Sequence, residues 1–240
     1  MTTQHNIRFS ATTHVGLVRN INEDSIVVLP DHQIWAVSDG MGGHAKGDFA
    51  SQTVVDSIAM IDESLTPTEM IKALRSALLR AHDTISAEAD AAGGGTIGAT
   101  VVTFMVAEGY FAAFWVGDSR LYRLQSGSIE LLTSDHSMVA AFVAAGQMTW
   151  DEAELHPHSN AVTRAVGYGD VLDLDKIRGE VMPGDRFLLC SDGLTKYATF
   201  DVLERVLSKE PIETVADTLQ QIALNGGGAD NISAIVIDIV

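Results

Sequence analysis

One cysteine, five prolines and only 15 basic residues stand among 240 positions, and each shortage closes a route. A single thiol, Cys190, can form no intrachain disulfide and leaves a Cys-ligated zinc site almost without ligands. The prolines are scattered, and no Pro-, Ser- or charge-rich stretch marks a linker, so residues 1–240 are expected to form one domain. Fifteen Lys and Arg against 32 Asp and Glu give a formal charge of −17. Phosphate backbones are gripped by Lys and Arg, so this balance speaks against nucleic-acid binding and against docking on an anionic membrane. Long hydrophobic runs are missing too; stretches such as Met138–Ala145 are too short to span a bilayer. Met1–Phe9 has no basic segment followed by an apolar one, so no signal peptide is expected and a soluble cytoplasmic protein is.

What the chain does have is apolar residues, 46% of the total, enough for a sizeable core. Short apolar or alternating runs predict strands at Ile7–Thr12, Ser25–Leu29 and Ile34–Ser38. The period then changes: Phe49, Ala50, Val54, Ile58 and Ile61 recur at helical spacing, and a second helix is expected over Thr68–Ala89 with Pro67 near its start. Strands follow at Thr100–Val106, Tyr110–Val116, Arg120–Gln125 and Ile129–Leu132, with Glu108-Gly109 and Ser126-Gly127 as hairpin turns. Ser137–Leu155 reads as helical but broken at Gly146. Leu172–Gly179, Arg186–Cys190 and Ile232–Val240 read as strands, and Phe200–Leu207 and Glu213–Leu224 as helices. Hairpin runs separated by helix pairs imply antiparallel sheets covered by helices, a layered α+β domain.

One local pattern recurs. An apolar run ends in a small residue, then Asp, then another small residue: Ile34 to Gly40 around Asp39, Phe111 to Ser119 around Asp118, and Phe187 to Gly193 around Asp192. Asp230-Asn231 stands just before the last strand. Asp-Gly is a common turn dipeptide, which suffices for any one of these sites alone. Several Asp residues at the mouths of buried strands, however, would repel one another unless protonated or bound to cations. Carboxylates and carbonyls are hard donors suited to Mg²⁺ or Mn²⁺. No H-E-x-x-H or EF-hand spacing is present. Asp170, Asp173 and Asp175 read as a solvated turn and strand face.

Two further segments are dense in polar groups. In Arg19–Asp24, alternation along an extended chain would put Arg19, Ile21 and Glu23 on one side and Asn22 and Asp24 on the other. Arg is suited to bidentate binding of a phosphate, although a surface ion pair explains these residues in isolation. Asp39-Gly40-Met41-Gly42-Gly43-His44 precedes a helix, but it lacks a nucleotide-loop pattern; its glycines suit close backbone approach to a bound ion.

Taken in order, Arg19-x-x-Asn-Glu-Asp24, Asp39-Gly-Met-Gly-Gly-His44, Gly117-Asp-Ser-Arg120, Thr133-Ser-Asp-His-Ser137, Cys190-Ser-Asp-Gly-Leu194 and Asp230-Asn231 resemble the metal-dependent protein phosphatases of the 2C type, in their bacterial form. The resemblance runs from about Ile7 to the end. It implies a four-layer α-β-β-α sandwich of two antiparallel sheets flanked by helices, with two Mn²⁺ or Mg²⁺ ions at one end. By resemblance, Asp39 would bridge the ions, the Gly40 carbonyl would ligate one, and Asp192 and Asp230 the other. Glu23 and Asp24 would hold metal-bound waters, Arg19 would grip the phosphate, and Asp118 with Asp192 would match a third metal site. A water activated between the ions would attack phosphorus, hydrolysing phosphoserine and phosphothreonine in proteins that a kinase has modified. Residues 137–164 correspond to the flap of bacterial members, and a mobile lid is expected there. A monomer is the favoured oligomeric state.

Departures from the family pattern are local. Met41 stands where some members carry a histidine suited to protonating the leaving group; His44 is either its substitute or, the stronger reading, a structural residue behind the site. Ala99-Thr100, Asp48 and Ser233 also differ, and none removes a proposed ligand. Two other readings compete: a catalytically silent pseudo-phosphatase that binds phosphoproteins, and an acidic metal-sensing domain. The complete ligand set argues against the first, and Arg19 with the long helices argues against the second.

Overall fold

The computed structural model describes residues 6–42 and 46–240. In chain order the strands are β1 Ile7–His14, β2 Asp24–Leu29, β3 Ile34–Gly42, β4 Ile97–Ala99, β5 Val101–Ala107, β6 Tyr110–Val116, β7 Arg120–Gln125, β8 Ser128–Leu131, β9 Asp175–Glu180, β10 Arg186–Cys190 and β11 Ile232–Ile239. The helices are α1 Gly47–Ala59, α2 Pro67–Ala91, α3 Ala140–Ala144, α4 Trp150–Ala153, α5 Asp192–Thr195, α6 Phe200–Lys209 and α7 Val215–Gly226.

Strand order is β1-β11-β10-β7-β8 in one sheet and β2-β3-β5-β6-β9 in the other, with β4 paired to β3. The pairings are antiparallel. Three cores separate four layers. Ile34 and Ala36 face α1 and α2, packing with Val54, Ile58, Leu74 and Leu78. Trp35 and Val37, one residue out of phase, face the other sheet and meet Phe104, Phe187 and Ile237. On the far side, Leu188 and Val236 pack under Leu203, Val215 and Leu219 of α6 and α7. Central strands are therefore buried on both faces, and their sequence reads as a nearly continuous apolar run although the sheets are antiparallel.

Local signals set the element ends. Thr66 caps α2 in a reciprocal capping box with Glu69, and Pro67 takes the first helical position, where its missing N–H costs nothing. Glu108-Gly109 and Ser126-Gly127 both have positive φ at two successive residues (53° and 81°, 53° and 83°), the turn that matches strand twist in tight hairpins. Several features differ from the sequence reading by more than a residue or two. β3 continues past Ser38 to Gly42 because β4 gives its end a partner. Ser137–Leu155 forms two short helices around a turn at Gly146, whose φ is 67°. β9 begins at Asp175, where pairing with Trp115 starts, not at Leu172. A short turn of helix at Asp192–Thr195 was not foreseen.

Candidate metal centre

Strand ends from both sheets bring four carboxylates to one cleft. Asp39 lies inside β3, Asp118 follows β6, Asp192 opens α5 straight after β10, and Asp230 precedes β11. With Arg19 and Glu23 they line a space of about 440 Å³. Asp118 and Asp192 also border a small pocket of about 10 Å³ beside Arg120, Asp135 and Glu154.

Neither Asp-Gly pair near this cleft is a simple turn. Gly40 is paired with Ala99 within the sheet, and a Cβ on it would fall 1.9 Å from the carbonyl oxygen of Gly47. A Cβ on Gly193 would fall 1.9 Å from the carbonyl oxygen of Asn231. What approaches these glycines is therefore neighbouring backbone: β3 against the start of α1, and α5 against the entry to β11.

Hydrogen bonds fix the acidic groups from behind. The Asp39 N–H donates to Thr100 Oγ1 at 3.0 Å, and Thr100 Oγ1 lies 2.7 Å from Ser119 Oγ. Asn231 holds the Val15–Glu23 loop by three bonds: its Oδ1 accepts from the Glu23 N–H, and its Nδ2 donates to the carbonyls of Val15 and Ile21. Buried Asp24 accepts from Ser191 Oγ at 2.7 Å, and that hydroxyl accepts from the Ser233 N–H. Arg19 reaches Asp230 through Nη2 at 2.9–3.0 Å. Lys196 Nζ lies 2.8 Å from Asp192 Oδ2 and 2.9 Å from Asp230 Oδ2. Lys196, Thr100 and Ser191 escaped the sequence reading as site residues. The i,i+4 spacing of Asp192 and Lys196 was the available signal for the first. His44 lies outside the described residues.

The electrostatics are those of crowded anions. Burial raises the Asp39 carboxyl well above its ordinary range, and Asp24, Asp192, Asp118 and Asp230 add to the effect. Asp118 is raised likewise, by burial first and then by Asp192 and Asp135. Asp24 is pushed up to about 7 by burial, despite the bonds from Ser191 and Ser233. Burial also acts against Asp230, but Lys196 and then Arg19 outweigh it and hold this carboxyl below the usual range.

The residues fit hard divalent cations. Asp24 Oδ1 and Asp192 Oδ1 are buried with no hydrogen-bond partner, and the donors here are oxygens. The only thiol, Cys190, is buried in a β-strand. Among the described residues no group of three His, Cys, Asp or Glu side chains could hold an ion by itself. The Gly40 carbonyl and waters would have to complete any coordination, as Mg²⁺ and Mn²⁺ sites allow.

The protein phosphatase 2C model matches residues 18–232, and the chain belongs to that family. It is 34% identical over 238 residues to the serine/threonine protein phosphatase PstP of Mycobacterium tuberculosis, a match that takes in 98% of this chain and 45% of that one. The chain thus spans about half the length of that relative. PppA of Pseudomonas aeruginosa, described as a key regulatory component of T6SS, superposes with a TM-score of 0.90 at 38% identity, covering 98% of each chain. The PstP catalytic domain in complex with two manganese ions gives a TM-score of 0.89 at 31% identity, covering 99% of this chain and 100% of the other. No helix among the described residues is long and apolar enough to cross a membrane.

Proposed function

We propose that the protein hydrolyses phosphoserine and phosphothreonine in cytoplasmic phosphoproteins at a centre of two Mn²⁺ or Mg²⁺ ions. One observation carries this reading. A guanidinium able to grip a phosphate stands on the wall of the same cleft as Asp39, Gly40, Asp192 and Asp230. Only Nη2 of Arg19 is spent on Asp230 among the described residues, which leaves the rest of the fork for phosphoryl oxygens.

Asp39, Gly40, Asp192 and Asp230 would hold the two ions, and Asp118 with Asp192 a third. When bound, such cations acidify water and neutralise the charge of a phosphoryl group. The chain's own part is to position and to balance charge. Thr100 and Asn231 lock the strand end and the Arg19 loop, so the phosphate grip and the carboxylates keep one geometry. Glu23 and Asp24 stand as acceptors for ordered water. Met41 lines the cleft and has no proton to give a leaving group. We take residues 1–240 as one phosphatase unit, with residues 137–164 as a flap beside the cleft.

The test is release of inorganic phosphate from a phosphothreonine peptide. Asp39→Ala and Asp192→Ala should each abolish it while leaving the fold intact by circular dichroism. Full turnover by either variant would sink the assignment.

A further inference from the structure

We infer that Lys196 is a built-in counter-charge to Asp192 and Asp230 that weakens the hold of this pair on a divalent ion, and so sets how much free metal the protein needs. The inference rests on the reading of these two carboxylates as ligands of one ion.

The geometry is specific. α5 is one helical turn, and Lys196 closes it. The i,i+4 spacing sends its side chain back to Asp192, the first residue of that turn. There its ammonium lies 2.8 Å from Asp192 Oδ2 and 2.9 Å from Asp230 Oδ2, with 18% of the side chain exposed. One cation thus bridges two carboxylates from different elements, at distances of strong charge-assisted hydrogen bonds. Lys196 is not among the residues lining the cleft. Each of the two carboxylates keeps its other oxygen, Asp192 Oδ1 and Asp230 Oδ1, off this ammonium.

Charge balance gives this contact its consequence. Among the described residues, salt bridges to Asp39, Asp118, Asp192 and Asp230 come only from Arg19 and Lys196, and both cations converge on Asp230. Asp230 Oδ1 also accepts from the Asn231 N–H at 3.0 Å. Asp230 is therefore already satisfied without a divalent ion, whereas Asp39 faces other carboxylates with no cation bridged to it. A divalent ion at Asp192 and Asp230 must share them with a fixed positive charge a few ångströms away, in a partly desolvated setting where such repulsion is poorly screened. The ion shared by Asp192 and Asp230 is therefore held more weakly than the same two carboxylates would hold it without Lys196. The same ammonium spares the metal-free fold the repulsion of two adjacent anions.

The experiment is calorimetric titration of Mn²⁺ into the wild type, Lys196→Met, Lys196→Gln and Lys196→Arg, with melting in EDTA alongside. Lys196→Met and Lys196→Gln should tighten one Mn²⁺ step about tenfold or more and lower the metal-free melting temperature. Lys196→Arg, which keeps the charge, should retain wild-type affinity. Unchanged or weaker binding in the Gln variant, which keeps a hydrogen-bond donor, would overturn the inference and make Lys196 a clamp that shapes the site. Uptake of no Mn²⁺ by the wild type would overturn the metal reading of the whole site, and this inference with it. A wild type that binds Mn²⁺ beside a Gln variant without gain overturns the inference alone.

Discussion

Asp39 and Thr100 are joined twice. The Asp39 N–H donates to the Thr100 hydroxyl at 3.0 Å, and the Thr100 N–H donates to the Asp39 carbonyl at 2.8 Å. The regular β3–β5 ladder ends at Val37 and Val102, so these two bonds carry the pairing on to the candidate bridging ligand. Thr100→Val keeps the shape and removes the hydroxyl, leaving the Asp39 N–H and Ser119 Oγ without that partner. The expected cost is about 1–3 kcal/mol of stability and about a tenfold or greater loss of kcat. Thr100→Ser should recover most of both. Melting curves and steady-state kinetics on the two variants check this.

Arg19 should act on substrate more than on fold, because its side chain is half-exposed on a loop that Asn231 anchors. Arg19→Ala should lower kcat/KM for a phosphopeptide by about 10- to 100-fold, the worth of hydrogen bonds to a charged group. Arg19→Lys should recover only part of this, since an ammonium cannot present the paired donors of a guanidinium. Melting temperature should change little in either variant.

The buried carboxyl of Asp24 gives the metal-free protein a signed pH dependence. Its pKa is raised by burial to about 7, above the unfolded value. The folded state therefore binds the extra proton, and stability falls as pH rises from about 4 through about 7. His136 is shifted down, by burial first and then by Arg164, and works in the opposite direction below its ordinary range. Comparing wild type with Asp24→Asn isolates the Asp24 contribution. In EDTA the variant should gain stability relative to wild type as pH rises from 5 to 8, by an amount on the order of a few kcal/mol. Saturating Mn²⁺ should shrink the difference, because cations favour the ionised cluster.

The segment proposed as a flap is held at its second half by Arg120, and by Asp151, which accepts from the Phe200 N–H at 3.2 Å. Arg120 is buried, forks onto Asp135, lies 2.9 Å from Glu154 and stacks against Trp150, 4.9 Å from the ring centroid. α3, by contrast, buries no residue, and Met138, Phe142 and Leu155 are exposed. Amide exchange in the wild type should be fast over residues 140–148 and slower over 150–154. Glu154→Gln should bring the second stretch to the rate of the first, while the strands keep their protection. Equal protection of the flap and the core strands would contradict a mobile lid.

The layered architecture was legible because burial on both faces writes long apolar runs, such as Ile34–Val37, and because Gly109 and Gly127 punctuate hairpins. Asp39, Asp118 and Asp192 were legible because each ends such a run, and Asp230 because it stands just before one. Other features rest on distant encounters that spacing does not encode. Thr100 meets Asp39 across 61 residues, and Ser191 meets Asp24 across 167. The continuation of β3 to Gly42 depends on β4, a three-residue strand too short to announce itself. Lys196 was readable as a helical neighbour of Asp192, but its second partner, Asp230, lies 34 residues away.

The central claim is that the cleft around Asp39, Asp192 and Asp230 hydrolyses phosphoester bonds by means of divalent cations. Its most direct test is phosphate release from a phosphothreonine peptide across a Mn²⁺ titration, with EDTA as control, in wild type and in Asp192→Asn. The wild type should show release that rises and saturates with Mn²⁺ and vanishes in EDTA, and the variant should need far more metal or show no release. No release by Mn²⁺-loaded wild type, or full release in EDTA, would contradict the claim.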